Sequence, residues 1–163
     1  MKKVIMLIFP LVLSSGSISN LDKNPKHNIV NPTILQPAGI LPTPPIEKLI
    51  NALIYVESRG KSNAVGDTHL GEPSIGVLQI RPIMVREVNR ILKISHIPKR
   101  FKLKDRFNRE KSIAMFMVWK NYHHPKDGFE EIARCWNGGS HGHLNPRTEK
   151  YWVKVQQYLN GNY

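Results

Sequence analysis

The sequence predicts a mainly α-helical single globular domain with room for a short β-hairpin. Three observations carry that reading. The chain has 163 residues, enough for one hydrophobic core and too few for two of ordinary size. Beyond residue 43, apolar side chains recur every three or four positions in five separate stretches, the mark of amphipathic helices. The longest polar stretch after that point, residues 61–79, is rich in Gly, Asn and Ser and reads as a loop that can hold a hairpin.

Two segments precede the predicted domain. Met1-Lys2-Lys3, the apolar run Val4 to Leu13 and the small residues that follow make 1–19 an export signal, with Ser17 and Ser19 at a cleavage point. The run is short for a transmembrane helix, and no cysteine nearby offers a lipid anchor. Residues 20–43 hold prolines at 25, 32, 37 and 42 with no helical or alternating period, and read as an extended tether.

The domain spans 44–163. Thr43 can cap its first helix, with Pro44 at the first position and Ile46, Leu49, Ile50, Leu53 and Ile54 on one stripe. Gly60 can end that helix in a left-handed cap. A second helix is expected over about 82–93, with Ile80, Ile83, Met84, Val88, Ile91 and Leu92 on one side. A third runs from 105 or 108 to 122. A fourth starts at Asp127, whose spacing to Glu130 suggests a capping box, and stops at Gly138-Gly139. A fifth runs from 146 or 149 to 159.

Composition narrows the function classes. Lys and Arg number 24 against 12 Asp and Glu, a net charge of +12. Such a surface attracts polyanions: nucleic acid, anionic lipid or an acidic wall polymer. Export favours the cell envelope, and no nucleic-acid motif accompanies the basic residues between Arg86 and Lys111. The single cysteine, Cys135, rules out an intrachain disulfide and a cysteine-rich zinc site.

Glu57 stands out on helix geometry. It follows Ile46 by eleven positions, which at about 100° per residue brings it within about 20° of the apolar stripe. Core desolvation and the negative end of the helix dipole both raise the pKa of a carboxyl placed there. A carboxylic acid still protonated near neutral pH suits general acid catalysis. The plainer alternative is a Glu that bends to solvent or pairs with Arg59, Arg81 or Arg134.

Four segments share a further pattern. Val56-Glu57-Ser58, with Asn63 to Asp67 following, then Ser74-Ile75-Gly76-Val77-Leu78-Gln79-Ile80, resembles the catalytic core of the soluble lytic transglycosylases, in which a helix ends in Glu-Ser and Gly-x-x-Gln opens the next. Ala133-Arg134-Cys135-Trp136-Asn137-Gly138-Gly139 is similar to that family's Ala-Tyr-Asn-x-Gly segment, and Thr148 to Val155 to its Thr-x-x-Tyr-x-x-x-Val element. The resemblance covers about residues 45–160. It implies the lysozyme-like fold shared with goose-type lysozymes and cleavage of the β-1,4 bond between N-acetylmuramic acid and N-acetylglucosamine in peptidoglycan. It implies Glu57 as the single acid/base, forming a 1,6-anhydro ring, with Ser58, Gln79, Asn137 and Tyr151 supporting or binding substrate. Trp136 replaces the usual Tyr, keeping an apolar floor for a sugar but losing any hydroxyl contact. The partners implied are peptidoglycan strands and, through charge, an anionic envelope surface. Neither a cofactor nor a metal is expected, and the protein is expected to be a monomer.

Ordinary glycosidases use two carboxylates. Asp67, Glu72 and Asp105 are the candidates for a second one here. Asp67 either reaches the cleft and positions a water, as in a hydrolytic muramidase, or forms a turn with its own backbone. The remaining reactive side chains have plain readings. His123, His124, His141 and His143 are expected at surfaces or in loops, and Cys135 packed in the core. Trp119 and Trp152 are expected in the core, with Trp136 the one aromatic assigned to the cleft. A non-catalytic wall-binding domain that keeps the cleft remains the reading from another class.

Overall fold

A computed structural model describes residues 45–162. The predicted export signal and tether lie outside the described residues, as do Thr43 and Pro44 themselves; the first helix starts two residues later than expected, with Pro45 as its N-cap. The described residues lie within the unit Leu41–Tyr163.

This unit is mainly helical. Its α-helices are α1 (Ile46–Ser58), α2 (Pro82–Ile94), α3 (Arg109–His123), α4 (Phe129–Gly138) and α5 (Glu149–Leu159). Short 3-10 turns at Leu103–Phe107, Gly142–Leu144 and Pro146–Thr148 join them. Between α1 and α2 lies a hairpin of β1 (Val65–Gly66) and β2 (Ser74–Ile75), antiparallel, with Val65 opposite Ile75 and Gly66 opposite Ser74.

The core follows the apolar stripes. Leu49, Ile50, Leu53 and Ile54 of α1 meet Val85, Val88 and Leu92 of α2, Met115 and Phe116 of α3, Ile132 and Ala133 of α4, and Val155 of α5. Each large aliphatic buried this way contributes about 1.5–3 kcal/mol of transfer free energy. Within this set α5 packs on α1 and α4, and α2 packs on α3. Ile83 departs from the expected α2 stripe: it is 60% exposed, while Val85, not expected there, is buried. Ile83 lies about 200° around the helix from Val85, on the opposite side.

Two helix ends also differ from expectation. At the end of α1, Arg59 (φ 54°) takes the left-handed cap position ahead of Gly60 (φ 80°). The start of α4 has Gly128 as N-cap and no side-chain cap. Asp127 does not cap it, because its carboxylate is held 2.7 Å from Nδ1 of His124. His124 is itself buried and tilted against Trp119 at 4.6 Å between ring centroids, so it is not the surface histidine expected.

The hairpin is fastened from outside. Arg106 is buried, and its guanidinium donates to the carbonyls of Leu103, Pro73 and Ile80 at 2.9–3.0 Å. Gly76, at φ 81°, lies so close to the Arg106 carbonyl that a Cβ would collide with it. A glycine is required there both for backbone shape and for space.

Candidate active site

A cleft of about 410 Å³ opens between the hairpin, the start of α2 and the end of α4. Glu57 lies within it, delivered by the last turn of α1 one turn beyond the buried Leu53. Asp67, Ser74 and Gln79 line one wall, Arg81, Ile83 and Met84 another, and Trp136 with Asn137 a third.

Glu57 is half-buried and, among the described residues, has one side-chain hydrogen-bond donor: the Tyr151 hydroxyl donates to Oε1 at 2.6 Å. None of the arginines that could have neutralised it does so. Arg59 stacks over the Tyr55 ring at 4.0 Å, Arg81 donates to the Glu72 carbonyl, and Arg134 engages Glu130 and Thr148. Burial therefore dominates, and it pushes the Glu57 carboxyl up from 4.5 to about 7. The Tyr151 hydrogen bond works against that rise, and the Asp67 charge adds to it. Tyr151 is raised well above the phenol range, first by its own burial and then by the carboxylate beside it. A neutral phenol facing a carboxyl that exchanges its proton near neutral pH is what this pair maintains.

Gln79 departs from the family pattern, in which this amide opens a helix, while the helix itself starts at 82 as the sequence predicts. Gln79 closes the Gly76–Ile80 turn with φ 47°. Its Nε2 donates to the carbonyls of Gly76 and Ala64 at 2.9 and 3.3 Å, and its Oε1 accepts from Ser74 Oγ at 2.8 Å. Gly66 leaves the space this amide occupies, since a Cβ there would strike it. The amide is thus held rigidly at the cleft wall.

Ser58 is not a cleft residue. It is buried, with Oγ 2.9 Å from the Val77 carbonyl and 3.2 Å from that of Ile54. It ties the end of α1 to the turn carrying Gln79 and so fixes the two cleft walls relative to each other. Trp136 is half-buried, edge-on to Phe116 and Trp119 at 5.1 Å each, and turned toward the cleft. Asn137 beside it is exposed.

The three candidate carboxylates separate cleanly. Glu72 forms a bidentate pair with Arg86 at 3.0 and 3.1 Å, which lowers its pKa. Asp105 accepts from the Lys102 amide and from Lys111. Neither lines the cleft. Asp67 does, exposed, and among the described residues its carboxylate has no hydrogen-bond or ion-pair partner. Its side chain makes no bond to its own backbone, yet Asp67 does open a turn: its φ is 51° and its carbonyl accepts from the Leu70 N–H at 2.9 Å.

Cys135 is buried, with Sγ 3.3 Å from His143 Nδ1. Among the described residues no three His, Cys, Asp or Glu side chains converge as metal ligands would. The cleft also contains Ser74, Ile83 and Met84, which the sequence reading did not assign to it. Ile83, off the buried stripe yet apolar, was the available signal for that wall. A scan against protein-family models and a search of the curated proteins find no match to this chain.

Proposed function

We propose that this chain is an exported lytic transglycosylase of lysozyme-like fold that cuts the glycan strands of peptidoglycan, with Glu57 as its acid and base. The observation that carries the reading is a cleft carboxyl with no cationic partner among the described residues, pushed up by burial to about 7. At neutral pH about half of such groups hold a proton.

The chemistry follows from two proton transfers at one carboxyl. Protonated Glu57 gives its proton to the glycosidic oxygen as the bond from the muramic acid C1 breaks. The carboxylate left behind then takes the proton of the C6 hydroxyl on the same sugar. The freed O6 bonds to C1 and closes the 1,6-anhydro ring. No water is consumed, and Glu57 ends protonated as it began. Tyr151 holds Oε1 in place and stabilises the charge that appears between the two steps. Gln79 offers the remaining acceptor capacity of its Oε1 to a sugar hydroxyl, Asn137 offers its amide, and Trp136 offers an apolar face.

Asp67 supports a second reading. A free carboxylate in the same cleft can orient a water, which would make the reaction hydrolytic. The full chain and Glu57→Gln, each incubated with purified peptidoglycan, separate these by mass spectrometry of the soluble products. Anhydro products from the parent alone support the transglycosylase. Products heavier by one water, lost in Asp67→Asn, support the muramidase. Wall binding by both proteins with no product from either leaves a binding domain.

A further inference from the structure

The last residues of α2 and the segment that leads from it toward α3 have a character that cleft chemistry does not use. Residues 93–104 carry five cations, Lys93, Lys99, Arg100, Lys102 and Lys104, and no acid. Every position in it is exposed except Phe101. Three aliphatics lie among the charges and remain in water: Ile94 at 47%, Ile97 at 45% and Leu103 at 50% exposure. Ile97 also shares a shallow groove with Tyr122 of α3, another exposed ring.

The loop is held in this shape. Phe101 is buried, and its backbone N–H and carbonyl both bond the Asn89 side chain at 2.8 Å. Ile97 N–H donates to the Leu92 carbonyl at 2.9 Å. With these anchors set, the three aliphatics are presented outward at no further ordering cost. Among the described residues, the acid nearest in sequence, Asp105, is already bonded by Lys111 and the Lys102 amide.

We propose that this loop docks the protein on an anionic lipid bilayer. A soluble polyanion would satisfy the cations and leave the aliphatics in water. A second copy of the chain would bring five like charges against five. An anionic bilayer surface takes both: headgroup phosphates meet the cations and the acyl boundary takes Ile94, Ile97 and Leu103. The cleft is built on the first turn of α2 and the loop starts at its last, so the thirteen-residue helix separates them by about 20 Å. Docking in this manner leaves the cleft open, whatever Glu57 does there.

The test places a polarity-sensitive fluorophore on Ile97→Cys in the full chain, where the buried Cys135 escapes labelling. Emission should shift blue on phosphatidylglycerol vesicles, fade as salt is raised, and stay unchanged on phosphatidylcholine. Replacing Lys99, Arg100 and Lys102 by Gln should weaken the response about a hundredfold, at roughly fivefold per charge. Ile94→Ser with Leu103→Ser should weaken it as well. A contact made through the apolar run 4–13 would survive both sets of changes, so an unaffected response overturns the proposal. So does a dye that stays in water on anionic vesicles, or one that responds equally to neutral lipid. Binding to isolated wall or to inorganic polyphosphate through the same cations, with no shift on vesicles, also overturns it. Cleavage of soluble glycan by these loop variants should equal the parent, which separates this test from that of Glu57.

Discussion

Glu57 and Glu87 are the same side chain on two helices of one small unit, and the fold treats them in opposite ways. Glu87, on α2, is gripped by Arg90 at 2.7 Å through both oxygens and by His123 at 2.8 Å, and is held down at about 2. Glu57 meets a phenol and apolar walls and is pushed up to about 7. The difference teaches that the supply of cations, not their number in the chain, decides how a carboxyl behaves. In a protein with twice as many basic as acidic residues, Glu57 is half-buried and meets no cation among the described residues.

The largest break in this contrast is Glu57→Gln, which keeps shape and removes the proton. Glycan cleavage should fall about a thousandfold or more, measured as product release, while Glu87→Gln leaves it unchanged.

Arg106→Ala attacks the fastening of the hairpin and the turn that carries Gln79. It removes charge-assisted bonds to three carbonyls and should cost about 2–4 kcal/mol of unfolding free energy in urea melts.

The pH dependence of stability sharpens the contrast, because the two carboxyls act in different windows. Glu57 has a folded pKa above its unfolded one, so its contribution is full below about 4.5 and is lost as pH rises through about 7. Relative to Glu57→Gln, the parent should lose about 3 kcal/mol between pH 4 and pH 8. Glu87 behaves in reverse: its contribution is present above about 4.5 and is lost as pH falls toward 2. Urea melts of parent and variant across that range check both signs.

A smaller effect is expected from Tyr151→Phe. Loss of the hydrogen bond removes the one influence that lowers the Glu57 pKa, so the alkaline limb of the pH–rate profile should move upward. The rate should fall about tenfold. The smallest is Glu87→Gln at neutral pH, below about 1 kcal/mol, because its partners are solvent-exposed.

Much of the framework was legible because it is local. The stripe of α1 and the eleven-residue offset of Glu57 from Ile46 follow from the 3.6-residue period, and the glycine stop of α4 from the backbone freedom of Gly139. What escaped depends on partners far along the chain. Ser58 reads as a support for Glu57, but its partner, the Val77 carbonyl, lies nineteen positions on and could not be named from the sequence. Arg106 reads as one cation in a basic stretch, but its partner Pro73 is thirty-three positions away. Asp127 has the spacing of a cap, and a buried histidine takes its carboxylate instead. Gln79 carries the right amide, while the turn it closes is set by Gly76 against the Arg106 backbone. Side-chain bonds of this kind leave no period in the sequence.

The most direct test is a carbon NMR titration of the glutamate carboxyls in the full chain, with Glu57→Gln and Glu87→Gln assigning the two signals. Titration of Glu57 near 7 beside Glu87 near 2 is the expected result. A Glu57 that titrates near 4.5, as a solvated glutamate does, would contradict the claim that burial without a cation makes it the acid of this cleft.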